Sequence, residues 1–321
     1  MKETVLITGA AGFIGSNIAD YLRKSGEYRL ILLDDLSNGR MENIAHLLSS
    51  GASSEDVLFV KGSINDYELL KAVLVDEGVD YVLHHAAVAS VPASIADPKH
   101  SLEVNIDGTL TLFMAARDSG VKKVVYASSS AYYGEKNESP LVETMPPDPL
   151  SPYASSKVMN EFLGRHFNEL YGMPTVGLRY FNVYGPRQDP NSQYAAVIPK
   201  FIDRCRKGLP PVIFGDGEQT RDFVYVKDVA LANYRILKTA GADGRVINIG
   251  TGDGITVNRI AKIIIEMTGS ALKPEYAPER PGDIRHSVAS IDLARTLLGF
   301  SPRYDLRTGL KELIAPISDN P

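Results

Sequence analysis

Seven short apolar runs recur along this chain, at residues 5–7, 30–33, 57–60, 81–84, 124–126, 176–178 and 246–249, each bounded by Gly, Asp or Ser. Amphipathic segments of helical period lie between them, at 14–24, 67–75, 102–117, 153–171 and 229–238. Runs this short and β-branched read as buried strands. A helix between consecutive strands makes a crossover, and crossovers of this kind build parallel sheets. The alternation predicts an α/β fold, a parallel doubly wound sheet with helices on both faces. Past about residue 180 the pattern loosens. Pro and Gly cluster at 186–190, 208–211 and 274–282, and helical period returns near 197–207 and 258–268. The expectation is a main sheet domain of residues 1–181 plus about 225–252, with the run at 246–249 returning to the main sheet. A smaller, irregular α/β part takes about 182–224 and 253–321. The Ser/Gly stretch 49–54 reads as a surface loop. The 321 residues suit one large domain or two intimately joined ones.

Charge and composition exclude several classes. A net charge of -5 and a pI near 5.7 argue against nucleic-acid binding, which needs a basic face. The single cysteine, Cys205, permits no intrachain disulfide; Arg204 and Arg206 flank it, and a packed helix thiol is the favoured reading. No signal-peptide pattern opens the chain, and no apolar stretch approaches the roughly 18 residues of a membrane span, so the default expectation is cytoplasmic.

The first strand runs into Gly9-Ala-Ala-Gly12-Phe-Ile-Gly15 at the start of a helix. Glycines at this spacing let the backbone turn tightly and approach a pyrophosphate, whose charge the helix N-terminus stabilises. The second strand ends in Asp34, where a dinucleotide-binding (Rossmann) unit carries the acid that takes the ribose hydroxyls. A carboxylate there repels a 2′-phosphate, so NAD is expected rather than NADP.

Tyr153 and Lys157 stand four residues apart at the start of a predicted helix and so share one face. A nearby ammonium and a positive nicotinamide favour phenolate, which makes Tyr153 a general base for a substrate hydroxyl and Lys157 its electrostatic partner. A lone Tyr-x-x-x-Lys is common by chance. Its place after the Gly-rich turn and the fifth strand gives it weight. That strand runs into Ser128-Ser129-Ser130, hydroxyls at the strand end that faces the ligand crevice of such sheets.

With these pieces in place, the chain resembles the extended short-chain dehydrogenase/reductase family. Within it, the resemblance is to nucleotide-sugar 4-epimerases, in particular UDP-N-acetylglucosamine 4-epimerases. The matching segments are TGAAGFIGS at 8–16, LDDLSNG at 33–39, HHAAVASV at 84–91, NIDGT at 105–109, SSSAYYGE at 128–135, SPYASSK at 151–157, LRYFNVYGPRQDP at 178–190, RDFVYVKDV at 221–229 and RPGDIRHS at 280–287. The resemblance implies catalysis by Ser129, Tyr153 and Lys157. It implies an NAD site of Gly9, Gly12, Phe13, Ile14, Gly15, Asp34, Asn38, Gly39, Ser63, Ile64, Ala86, Ala87, Asn105, Tyr153, Lys157 and Tyr180. For the UDP-sugar it implies Ser90, Val91, Ser129, Ser130, Tyr153, Asn182, Ala196, Val197, Phe214, Arg221, Arg280, Asp283 and Ser287. Arg221 and Arg280 suit a pyrophosphate, since arginine offers planar, permanently charged donors. No metal is implied.

Two positions depart from the family pattern. Ser63 stands where an acid is common at the adenine contact, and it still accepts a hydrogen bond. Ser287 stands at the sugar-pocket gate, which is bulky in enzymes restricted to non-acetylated sugars; a small side chain leaves room for an N-acetyl group. Dehydration needs an Asp-Glu pair after the active-site hydroxyl, and here Ser129 is followed by Ser130-Ala131. UDP-glucuronate epimerisation or decarboxylation needs a cation for the sugar carboxylate, which the sequence does not locate. A non-catalytic NAD-binding scaffold has no need of Ser129, Tyr153 and Lys157 together. The resemblance also implies a homodimer, and Leu102, Ile106, Leu110 and Phe113 are compatible with a pairing helix.

Overall fold

The computed structural model describes residues 2–49, 56–189, 197–279 and 284–314. Its main sheet has seven strands: β1 (Glu3–Thr8), β2 (Tyr28–Asp34), β3 (Val57–Lys61), β4 (Tyr81–His84), β5 (Lys123–Ser129), β6 (Thr175–Tyr180) and β10 (Val246–Ile249). Their order is β10-β6-β5-β4-β1-β2-β3, and every neighbouring pair is parallel. The strand at 246–249 thus joins the main sheet beside β6, as its apolar run suggested. The order reverses between β1 and β4, the switch point above whose strand ends ligands bind in such sheets.

Helices cover both faces. On one lie α1 (Phe13–Ser25), α9 (Val226–Leu237) and α11 (Asp292–Leu298), whose Ile18, Leu22, Val229, Ile236 and Leu298 share a buried core with Val5, Ile7, Leu30 and Val176. On the other lie α3 (Tyr67–Asp76), α6 (Gly108–Asp118) and α7 (Pro152–Tyr171), with Leu70, Phe113 and Phe167 packed on Leu6, Ile31 and Val124. A strand buried from both sides has no polar face to show, which is why these runs are continuous rather than alternating.

The helix expected at 102–117 is more complex. The short helices α4 (Val91–Ala96) and α5 (Pro98–Leu102) precede a π-helical turn, Glu103–Asp107, which leads into α6. Such turns often mark functional positions, and this one carries the buried Asn105. Ser49, expected in a loop, ends the short helix α2 (Ala45–Ser49); residues 50–54 lie outside the described residues.

Beyond β6 come β7 (Asn182–Tyr184), α8 (Val197–Arg206), β8 (Val212–Phe214) and β9 (Thr220–Tyr225). After β10 follow β11 (Gly254–Thr256), α10 (Val257–Met267), β12 (Glu275–Ala277), β13 (His286–Ser287) and α12 (Leu306–Ile314). Strand β9 is the hub of a small mixed sheet: β7 and β13 pair with it in parallel and β11 antiparallel. Separately, β12 pairs with β8. A third core gathers here from Ile198, Phe201, Tyr225, Ile260, Ile264 and Leu310. Cys205 belongs to it, 7% exposed, and burial raises its thiol pKa, consistent with a packed rather than a reactive cysteine.

Candidate active site

Above the switch point the chain makes a cradle. Gly12 is the N-cap of α1, and no side chain caps the helix. Its first N–H groups are thus left for an anion, with the helix dipole behind them. Gly9 has φ +65, and a Cβ there would lie 2.7 Å from Ala86 N at the end of β4. A Cβ on Gly15 would lie 2.2 Å from Gly9 O. The turn and the helix therefore touch backbone to backbone, leaving its outer side open to a ligand. Ile14 turns inward to the core.

Asp34 closes the cradle from β2. Its carboxylate accepts from Ala11 N at 2.9 Å and from Leu36 N at 2.8 Å, so it braces the glycine turn as well as its own loop. Burial raises its pKa against those two hydrogen bonds. A Cβ on Gly39 would lie 2.6 Å from this carboxylate, and Asn38 beside it is exposed. Across the strand ends, Ile64 is buried, Ser63 Oγ accepts from Asn65 N, and Ala86 and Ala87 are half-buried. An uncapped helix start, a glycine turn without side chains and an oriented carboxylate on the second strand fit a dinucleotide with free ribose hydroxyls.

The catalytic candidates meet at the ends of β5 and α7. Ser151 caps α7 by accepting from Ala154 N. Tyr153 and Lys157 follow one turn apart, with the ammonium 5.7 Å from the centroid of the tyrosine ring. Lys157 is buried and donates to Ala127 O at 2.9 Å; burial pushes its pKa down to about 8. Ser129, at the end of β5, stands beside the Tyr153 side chain, where its hydroxyl acts to lower the phenol pKa. The sequence reading had the ammonium lowering the phenol. In the folded chain burial raises the Tyr153 pKa, the Ser129 hydroxyl opposes it, and the Lys157 ammonium is turned to a carbonyl rather than to the hydroxyl.

Two buried networks support this corner. Asn105 brackets Val88, accepting from its N–H at 2.8 Å and donating to its carbonyl at 3.1 Å, and also donates to Ser156 Oγ. The Tyr180 hydroxyl is held by His85 at 2.9 Å and by Asn233 Nδ2 at 2.8 Å. Burial pushes the His85 pKa down to about 4, so this pair is neutral at pH 7.

On the substrate side, a cavity of about 340 Å³ opens between β7, α8 and β9. Asn182, Val197, Phe214 and Arg221 line it together. Ser287 on β13 sits in register with Arg221 on β9, and it is 5% exposed. Ser130 begins the 3-10 turn after Ser129, Ser90 Oγ caps α4 by accepting from Ala93 N, and Val91 is exposed. Ala196, Arg280 and Asp283 lie outside the described residues.

Comparison with known proteins gives this geometry a family. Residues 5–250 match the model of the NAD dependent epimerase/dehydratase family. The chain belongs to that family. A UDP-N-acetylglucosamine 4-epimerase from Methanobrevibacter ruminantium, solved with UDP-N-acetylmuramic acid, is 43% identical, with 98% of this chain and 99% of that chain covered and a TM-score of 0.89. A UDP-glucose 4-epimerase from Thermotoga maritima, solved with UDP-glucose, is 40% identical, with 97% of each chain covered and a TM-score of 0.90. The UDP-glucose 4-epimerase of Mycolicibacterium smegmatis is 39% identical over 310 residues, 96% of each chain. The cofactor of this epimerase/dehydratase chain is NAD, and the cradle fits it.

The sequence reading of the epimerase fold missed a buried ion pair beneath the site. Glu161 on α7 accepts from Arg179 Nη2 at 2.6 Å and Nε at 2.8 Å, and Arg179 also donates to the Tyr133 hydroxyl. Ser128, next to Ser129, donates to the same carboxylate. The pair pins the ends of β5 and β6 to α7, two turns below Tyr153. A signal was present: Glu161 continues the Tyr153, Lys157 spacing of four, which places it on their helical face.

Proposed function

We propose that this chain inverts C4 of a UDP-sugar through a transient 4-keto intermediate, acting on UDP-GlcNAc/UDP-GalNAc and also on UDP-Glc/UDP-Gal. The chain is an NAD-dependent isomerase of the UDP-sugar 4-epimerase class. The observation that carries the mechanism is the meeting of Ser129, Tyr153 and Lys157 beside the glycine cradle.

Tyr153 takes the proton of the sugar 4-hydroxyl and returns it after the sugar has turned over in the pocket. Ser129 holds the same oxygen and steadies the negative charge that builds on it. Lys157 gives its hydrogen bond to Ala127 O, so as a cation 5.7 Å from the Tyr153 ring it acts on the phenolate only through space. NAD held by the glycine turn and Asp34 would supply reversible hydride acceptance for C4. The uncapped start of α1 receives the cofactor pyrophosphate, and Asp34 receives the adenosine ribose. Arg221 in the cavity serves the UDP pyrophosphate, a role the family resemblance also gives to Arg280.

Acceptance of the acetylated sugars is supported by Ser287, a small residue in register with Arg221 on the cavity-forming strand β9, which leaves room for an N-acetyl group without requiring one. Each of the four UDP-sugars, offered separately, measures the preference. A Ser287→Tyr variant is expected to lose the acetylated pair at least tenfold more than the other, since bulk in a tight pocket costs ~1–3 kcal/mol. Equal loss of both pairs sinks the gate. Near-wild-type turnover by Tyr153→Phe sinks the mechanism.

A homodimer completes the reading. Phe113, which the sequence leaves open to either a pairing face or the core, is core, packed on Tyr126 and Phe167. Among the described residues, the large apolar side chains left exposed on α6 and α7 are Met114 on α6 and Met159, Phe162, Leu170 and Tyr171 on α7, and Met159 and Phe162 lie one turn apart. These are the side chains a pairing helix surface offers.

A further inference from the structure

The backbone of Tyr153 is held from outside its own helix. A helix start leaves several N–H groups without helical partners. In α7, Pro152 has no N–H, Ser151 Oγ takes Ala154 N at 3.1 Å, and Ser151 O takes Ser155 N at 2.9 Å. The remaining donor, Tyr153 N–H, goes to Ser94 Oγ on α4 at 3.1 Å. Ser94 is fully buried, and its own proton is committed to Val91 O at 2.6 Å, which turns a lone pair toward Tyr153. The carbonyl of Tyr153 is held as well. Ser156 Oγ donates to it at 2.7 Å and accepts from Asn105, the residue that brackets Val88. Both backbone groups of the tyrosine are thus tied to the segment that leaves β4 at the switch point.

We propose that Ser94 is a positioning residue for Tyr153: by accepting the Tyr153 N–H it lets α4 set where the phenol stands against Ser129 and the sugar 4-hydroxyl. The inference rests on the proposed role of Tyr153 as the base. A buried serine that merely satisfies a helix N–H would support folding and NAD retention without touching the chemical step, so the two roles separate by experiment. Ser94 is fully buried, and among the described residues its hydroxyl bonds only Tyr153 N–H and Val91 O. Its loss would move the phenol by fractions of an ångström, and misplacement on that scale costs one to two orders of magnitude in rate.

The test uses NAD-loaded protein, with turnover and KM for the UDP-sugar measured in wild type, Ser94→Ala, Ser94→Cys and Tyr153→Phe. Cysteine keeps the bulk but is a weak acceptor. The expected result is a kcat lower by roughly ten- to hundredfold in both Ser94 variants, with KM within about twofold and NAD content equal to wild type. A kcat within about twofold of wild type in a folded Ser94 variant overturns the proposal. So does a rate loss that only parallels lost NAD, or failure of both variants to hold NAD, since each assigns Ser94 to structure alone. Tyr153→Phe separates the levels: if it stays active, the base itself is misassigned, whatever Ser94 does.

Discussion

Lys157 is where catalysis and stability pull in opposite directions. Its ammonium is nearly inaccessible, has one carbonyl partner, and has its pKa pushed down to about 8 by burial. Between that value and the unfolded one near 10.5, the unfolded chain holds a proton that the folded chain has released. Stability contributed by this group therefore rises with pH through that window and is lowest below pH 8, where the charge is buried. At pH 7 the cost is at most about 3 kcal/mol, less what the Ala127 hydrogen bond returns. Lys157→Met is expected to lower turnover at least a hundredfold while leaving the thermal midpoint of cofactor-free protein unchanged or higher. A midpoint several degrees lower would show that the ammonium stabilises the fold. The same shift sets a pH limit on activity. Lys157 is cationic below about pH 8, and a positively charged nicotinamide nearby lowers that limit further. The pH profile of kcat/KM should thus fall at or below about pH 8; an undiminished rate through pH 9 contradicts the electrostatic role.

Among the elements, the loop 185–189 after β7 has a part that its sequence did not announce. It crosses back to the cradle: Pro186 O accepts from Asn17 on α1, Arg187 reaches Asn43 O, Asn17 and Asp20, and Asp189 pairs with Arg40. Asn43 in turn donates to Ala11 O in the glycine turn. Arg187 has φ +71 and Leu36, next to the Asp34 loop, has φ +64; among the described residues these are the two non-glycine residues in the left-handed region. Strain of this sort persists where surrounding contacts fix it. The strap is expected to hold NAD in place. Arg187→Ala removes several part-buried contacts, charge-assisted ones worth roughly 1.5–3 kcal/mol each. NAD release, followed by cofactor content after dilution, should accelerate at least tenfold. Unchanged release would limit the strap to joining β7 to α1.

The same scale shows what was legible beforehand. Every main-sheet strand was readable because burial on both faces leaves a mostly apolar run, as in 81–84 and 246–249, whose bounds agree with the structure and whose His84 and Asn248 are buried polar exceptions. Strand β9 was not readable as a strand: Thr220, Arg221 and Asp222 open it, and Asp222 is buried only because Thr251, Gly252 and Ala289 donate to it. The glycine turn, Asp34 and the Tyr153–Lys157 spacing were local patterns. The ties of Ser94 to Tyr153, of Glu161 to Arg179 and of Arg187 to Asp20 join residues 59, 18 and 167 apart; the spacing of four places Glu161 on the Tyr153 face, but no local pattern encodes any of the three partners.

For the whole molecule, the question is what the outer faces of α6 and α7 are for. Phe162 is 42% exposed and Met159 45%, one turn apart on a helix whose opposite face carries Lys157, Asn160 and Phe167 into the interior. Scattered apolar residues on a surface need no explanation, but neighbours on one helical face are what a pairing surface requires. The arrangement would also matter for catalysis, because α7 carries Tyr153 and Lys157 at its start and is anchored below them by the Glu161–Arg179 pair. A partner packed on α7 would stiffen the element that holds the base. Phe162→Glu places a charge on that face without altering the described hydrogen bonds of the site. Sedimentation or light scattering should show a dimer for the wild-type chain and a shift toward monomer for the variant, with turnover per chain reduced severalfold. A wild-type chain that stays monomeric at micromolar concentration would end the pairing proposal while leaving the catalytic assignment intact.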